Sequence, residues 1–153
     1  MHVVADTNTV VSGLLWHGAP RQVLDAARMG TITLVTSATL LVELADVLQR
    51  AKFAQRLARA NVTAHALVFG YAALARLVIP VPIEPVVTAD PDDDAVLACE
   101  VAARAEVIVS GDSDLLTLES YEGIPIITAV QLMARIAAAL ANPAEPSSGA
   151  DAQ

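Results

Sequence analysis

The order of apolar runs in this chain predicts an α/β fold, a three-layer α/β/α sandwich around a mostly parallel central sheet. Two observations predict it. Short β-branched runs alternate with longer segments of helical period over nearly the whole sequence. Acidic residues recur after or beside those runs, at Asp6, Glu43, Asp94 and Asp112 with Asp114, and the crevice beyond the carboxyl ends of parallel strands is where such folds bind ligands.

Taken in order, HVVA is a short buried strand followed by DTN and VVSGLLW. Gly18-Ala19-Pro20 breaks the chain, and RQVLDAARMG reads as a helix closed by Gly30. ITLVT has strand character. Ser37 caps a helix in which Leu41, Leu44, Ala45 and Leu48 form the apolar stripe. Two more helices are expected over 52–60 and 62–78, and the three prolines of IPVPIEPVV make an extended connection. The second half repeats the alternation: a helix over 93–104, strand EVIVS, short helix DLLTL, strand PIIT and a final helix AVQLMARIAAAL.

With 153 residues the chain is expected to form one domain over 1–141 and a Pro/Ser/Ala/Gly-rich disordered tail over 142–153. It is 55% hydrophobic, yet its longest uncharged run, 60–75, contains Asn61, Thr63 and His65. That run is shorter than the roughly 20 apolar residues a membrane span needs. MHVVAD lacks the basic segment of a signal peptide, and the single cysteine, Cys99, excludes an internal disulfide framework. A cytoplasmic location follows as the expectation. The net charge of -8 argues against a broad, non-specific nucleic-acid surface, but not against a nuclease whose acids hold metal. Arg50, Lys52, Arg56 and Arg59 are the only basic concentration. It reads as a solvated helical face, or else as a phosphate-guiding rim or partner-binding edge.

Clustered carboxylates repel one another, and the usual reason to gather them is a hard divalent cation. Asp6, at a strand end, is either a local turn or cap or a metal ligand, with Asn8 as neighbour. Asp90 to Asp94 opens a helix, and capping accounts for most of the run, with Asp90 at the N-cap and Pro91 at the first position. Asp94 is set apart by sharing a helical face with Leu97, Ala98 and Val101, so Asp92 and Asp93 read as solvated. Glu43 flanks an apolar stripe and reads equally as a boundary residue. Ser110-Gly111-Asp112-Ser113-Asp114 looks like a ligand-bearing loop after a strand, though a helix cap is a fair alternative. No Cys/His arrangement for zinc and no glycine-rich phosphate loop is present, and Trp16 with two tyrosines is too sparse for a base-stacking platform.

Together VVADTNTVVSGLLW, TSATLLVELADVLQRAKF, ADPDDDAVLACEVAARAEVIVSGDSDLLTL and GIPIITAVQLM resemble a PIN domain over about residues 1–135. The resemblance is to the bacterial branch described as toxin components of toxin–antitoxin systems. It implies a catalytic and metal-binding set of Asp6, Glu43, Asp94 and Asp112, with Asp114 as a further metal ligand and Asn8 and Ser110 as polar residues flanking the site. It further implies a ribonuclease dependent on one or two Mg²⁺ or Mn²⁺ ions, leaving a 5′-phosphate and a 3′-hydroxyl. A small antitoxin partner and a homodimer are implied too. Two other readings stay open on the residues alone. A haloacid-dehalogenase-like phosphatase also places an aspartate after its first strand, but here Asn8 replaces the second aspartate and Glu43 is unexplained. A catalytically silent binding protein of the same fold would keep the acids as caps.

Overall fold

A computed structural model describes residues 1–86 and 91–142. The chain runs β1 (His2–Ala5), α1 (Thr7–Leu15), α2 (Ala19–Arg28), β2 (Thr33–Thr36), α3 (Ala38–Leu48), α4 (Ala51–Arg59), α5 (Ala64–Leu74) and β3 (Arg76–Leu77). It continues through α6 (Pro91–Ala103), β4 (Val107–Val109), α7 (Ser113–Leu118), β5 (Ser120–Tyr121), β6 (Ile124–Ile127) and α8 (Ala129–Ala141). The six-stranded sheet has the order β3-β2-β1-β4-β6-β5. Every pairing is parallel except that of β5 with β6. The expected three-layer α/β sandwich is therefore what forms.

Strand alternation divides the core between the two faces. Val3, Ala5, Leu34, Val107 and Val109 pack into one apolar cluster with α1, α2 and α8. Val4, Val35 and Ile108 pack into the other with Val96, Leu97 and Cys99 of α6. Because β-branched residues fill both faces, these central strands read as continuous apolar runs, as sheets covered on both sides do. The sheet order turns around between β1 and β4, where Ala5 pairs with Val109. A crevice opens at such a switch point, and the residues that follow these two strands, Asp6 and Ser110, stand side by side there.

Helix α1 is fastened at both ends. At its start, Asp6 is the N-cap and accepts the Thr9 N–H at 2.9 Å, satisfying one of the first-turn donors that a helix leaves open. At its end, the Arg21 guanidinium donates to the carbonyls of Gly13 and Leu14, and Arg56 donates to that of Leu15. Two cations thus complement the carbonyl end of the helix dipole. Arg56 also lies over the Trp16 ring, 5.7 Å from its centroid, and Trp16 meets Phe53 edge-on. Arg56 is exposed, yet its guanidinium is engaged by the last carbonyl of this helix and by the Trp16 ring.

Three elements depart from expectation. The segment VVSGLLW is helix α1, its cap being Asp6. The helix expected to reach residue 78 ends at Leu74, because Arg76 and Leu77 pair with Val35 and Thr36 as edge strand β3. A propensity-based reading does not see this, since the pairing partner is about 40 residues away. A short antiparallel β5 precedes β6 for the same reason. The Asp90 cap and the tail from residue 143 fall outside the described residues.

Gly13 allows α1 and α2 to approach closely. A Cβ there would lie 2.7 Å from the Pro20 carbonyl oxygen and 2.9 Å from Leu24 Cδ1, and backbone does not yield as a flexible side-chain tip does. Gly13→Ala is expected to lower stability by about 1–3 kcal/mol through overpacking, read as a lower urea midpoint with an unchanged slope. An unchanged midpoint would show that the two helices are not tightly set.

Candidate metal centre

The crevice at the switch point is built from the ends of β1 and β4. Ser110, fully buried, donates its hydroxyl hydrogen to Asp6 Oδ2, while its oxygen accepts the Asp112 N–H at 2.9 Å. One serine thereby ties the acid after β1 to the acid after β4. Asp112 is itself the N-cap of α7, accepting the N–H of Asp114 at 2.7 Å. Asp6 and Asp112 each cap a helix, as the capping reading of both acids expects.

Asp6, Thr7, Asn8, Glu43, Asp93 and Asp112 line a cavity of about 20 Å³. A void of that size holds one water-sized body. No basic side chain is among those lining it. One carboxylate oxygen each from Asp93, Asp112 and Asp114 comes within 4.8 Å of the other two. The Thr7 hydroxyl, buried in the same cavity, has no hydrogen-bond partner among the described residues. A set of hard oxygen donors around an ion-sized void fits Mg²⁺ or Mn²⁺, and soft thiolate metals are excluded by the donor chemistry. Helix α3 supplies Glu43, whose helix starts from the Ser37 cap at the end of β2. Tertiary packing brings Glu43 to Asp6, which its sequence context leaves undecided.

Asp93, rather than Asp94, lines the small cavity. Asp93 is 6% exposed and lines the cavity, so the expectation that it is solvated is corrected. The Asp94 carboxylate is turned to the connector before the helix, where it accepts the Val86 N–H at 3.2 and 3.3 Å. The cause is the phase of α6. Its inward stripe is Asp93, Val96, Leu97 and Glu100, all buried, rather than the Asp94, Leu97, Ala98 and Val101 stripe. One residue is about 100° of helix. Glu100 conceals the true phase, because a glutamate marks a face as solvated.

Glu100 is 3% exposed, and its Oε2 has no hydrogen-bond partner among the described residues. Burial first, and then the charge of Glu122, raise its pKa to about 7. Beside it, burial and the charge of Glu100 push the Cys99 thiol up to about 12, so Cys99 is an inert core residue, as its apolar face predicts.

Beyond the acids lies an open groove of about 610 Å³. Asn8 and Asp112 belong to its walls as well as to the small cavity. Thr9, Ser12, Ser113 and Thr128 add hydroxyls, and Ala129 and Val130 bring the first turn of α8 to its edge. No basic residue lines it. Thr128 and Gln131 form a reciprocal capping box at this helix start. The role of Thr128 was not legible in the sequence, where PIIT reads only as a strand.

A parallel α/β sheet that gathers oxygen donors at its switch point defines a class of protein built to hold a hard cation beside a ligand groove. The sequence profile of the family described as PIN domain matches residues 2–114, and this chain belongs to that family. PIN domains are nucleases as a rule, typically metal-dependent, and act on RNA or DNA. Comparison with curated proteins and with solved structures gave no match. Among the described residues, no helix is long and apolar enough to cross a membrane.

Glu100 generates a pH prediction. Its pKa is raised by folding, from the ordinary 4.5 to about 7. The unfolded chain therefore releases this proton first, and stability falls as pH rises from about 4.5 to 7, then levels off. Glu100→Gln should match the wild type near pH 4.5 and melt higher at pH 8, in paired thermal scans. A variant that melts lower at pH 8 would show that the carboxylate has a stabilising partner.

Proposed function

We propose that this chain is a Mg²⁺- or Mn²⁺-dependent endoribonuclease and the toxin of a type II toxin–antitoxin pair, acting in the cytoplasm as a homodimer held in check by a small antitoxin. The observation that carries the nuclease reading is the adjacency of an ion-sized, carboxylate-lined cavity and an open groove of about 610 Å³. Asp6, Glu43, Asp93, Asp112 and Asp114 would hold the metal. What a bound ion supplies is a water of lowered pKa and an offset for the charge that develops on the phosphate.

The chain's own residues do the rest of the work. Ser110 fixes the Asp6 carboxylate, so that it need not reorganise when charge develops. Asn8, on the wall shared by cavity and groove, would orient the scissile phosphate. The hydroxyls and the amides at the start of α8 would steady the neighbouring backbone without side-chain cations, as helix starts do for anions. That suits a protein of net charge -8. Hydrolysis leaving a 5′-phosphate and a 3′-hydroxyl, the RNA preference and the antitoxin all rest on the resemblance of the four motifs to the toxin branch. A phosphatase reading fits less well, since Asn8 offers no general acid and an open groove does not enclose a small ester.

Asp93→Asn is expected to lower Mn²⁺-dependent cleavage of a fluorogenic single-stranded RNA by at least about 100-fold, whereas Asp94→Asn keeps cleavage within a few-fold of wild type. Wild type should gain about 2.7 kcal/mol of stability at a hundredfold excess of metal over Kd, and Asp93→Asn much less. If Asp94→Asn is the inactive variant, the site assignment fails. A wild-type protein that cuts no RNA with Mn²⁺ would instead favour a binding role.

A further inference from the structure

The carboxylate-lined cavity holds one polar group that its acids do not account for. Thr7 is 6% exposed and lines the void beside Asp6, Glu43, Asp93 and Asp112. Its hydroxyl is buried and has no hydrogen-bond partner among the described residues. Burying a hydroxyl without a hydrogen bond costs free energy, so such a group calls for a reason. Ser37 and Ser110, equally buried, do have partners. Ser37 accepts the Leu40 N–H, and Ser110 bonds to both Asp6 and Asp112.

Helix position explains why Thr7 is left over. Inside a helix, a threonine hydroxyl can turn back to the carbonyl three or four residues earlier. Thr7 is the first residue of α1, and Val4 and Val3, three and four residues before it, lie in strand β1. No preceding helical turn exists to take the hydrogen. The cap does not need the hydroxyl either, because Asp6 already accepts the Thr9 N–H. What remains for Thr7 is the void of about 20 Å³, room for one water-sized body.

Charge selects that body. Four carboxylates around one divalent cation already exceed its charge, and a further acid would only add repulsion. A neutral oxygen adds a ligand without adding charge, and ligand charge count is one of the levers that set affinity for hard cations. A serine or threonine hydroxyl serves Mg²⁺ in this way beside phosphate-binding loops. Asp6 sharpens the need, since each of its two oxygens is already engaged, by the Thr9 N–H and by the Ser110 hydroxyl.

We propose that the Thr7 hydroxyl is a neutral oxygen ligand of the cation in this cavity, joining the shell that the carboxylates begin. Ligation uses a lone pair of Oγ1 and keeps the hydroxyl hydrogen, so no proton is lost. The proposal rests on the metal-dependent reading given above and adds to it a residue outside the acidic set.

Titration of Mn²⁺ with the full chain, followed by loss of the free-ion electron paramagnetic resonance signal, tests this without any RNA. Thr7→Val keeps the branched shape and removes only the hydroxyl. It should raise the Mn²⁺ Kd by about 10- to 100-fold. Without metal it should melt no lower than wild type, because a methyl has replaced an unpaired hydroxyl. Thr7→Ser should hold the Kd within a few-fold of wild type. Thr7→Cys should gain an ultraviolet thiolate-to-Cd²⁺ charge-transfer band that wild type, with Cys99 buried, lacks. A Thr7→Val chain that binds Mn²⁺ like wild type, or a Thr7→Cys chain without the band, overturns the proposal and leaves the acidic centre standing. A Thr7→Val chain that melts lower without metal would reveal a partner for the hydroxyl within the protein and overturn it too. A wild type that binds no Mn²⁺ overturns the metal centre itself, and the Thr7 ligand with it.

Discussion

Everything at the working end of this molecule hangs on the hydrogen bond between Ser110 and Asp6. Asp6 continues the β1–β4 ladder through its own N–H to the Val109 carbonyl at 3.0 Å, caps α1 with Oδ1 and receives Ser110 at Oδ2. Ser110 in turn receives the Asp112 N–H and so sets the start of α7. Two strands and two helices are thereby pinned at one point by three side chains. Moving any of them would shift a carboxylate and release a helix cap together. The carboxylates repel one another, and the fold overcomes that repulsion by giving Asp6 and Asp112 backbone or hydroxyl donors of their own.

Helix α1 carries this arrangement into the body of the protein. Its front end is an acid of the site, and its far end is held by Arg21 and Arg56. The basic concentration around residues 50–59 thus serves partly to seat the helix that presents Asp6 and Asn8. With Arg56 committed there and no basic side chain on the groove, nucleic acid would be gripped by hydroxyls, amides and metal-held charge. Such binding should be less sensitive to salt than that of a protein that neutralises many phosphates.

The treatment of buried acids on α6 shows two solutions to one problem. Asp93 and Glu100 lie on the same stripe, seven residues apart and both buried. Asp93 opens into the cavity, where a cation can compensate it. Glu100 has no such outlet, and its carboxyl takes up a proton near neutral pH instead. Burial without a partner favours the neutral form. The same helix therefore presents one buried acid to the cavity at its first turn and another, its pKa raised by burial, at its third.

Local chemistry was enough to fix much of this protein. The alternation of β-branched runs and amphipathic helices determined the α/β sandwich, because side-chain periodicity is a property of each segment alone. The Ser37 cap and the placement of Asp6, Asp112 and Asp114 at strand ends were equally local. Only tertiary structure decided that Asp93 and not Asp94 is buried, since Glu100 counterfeits a solvated face and shifts the apparent phase of α6 by one residue. Only packing brought Glu43 to Asp6, and only pairing with β2 turned Arg76 and Leu77 into a strand.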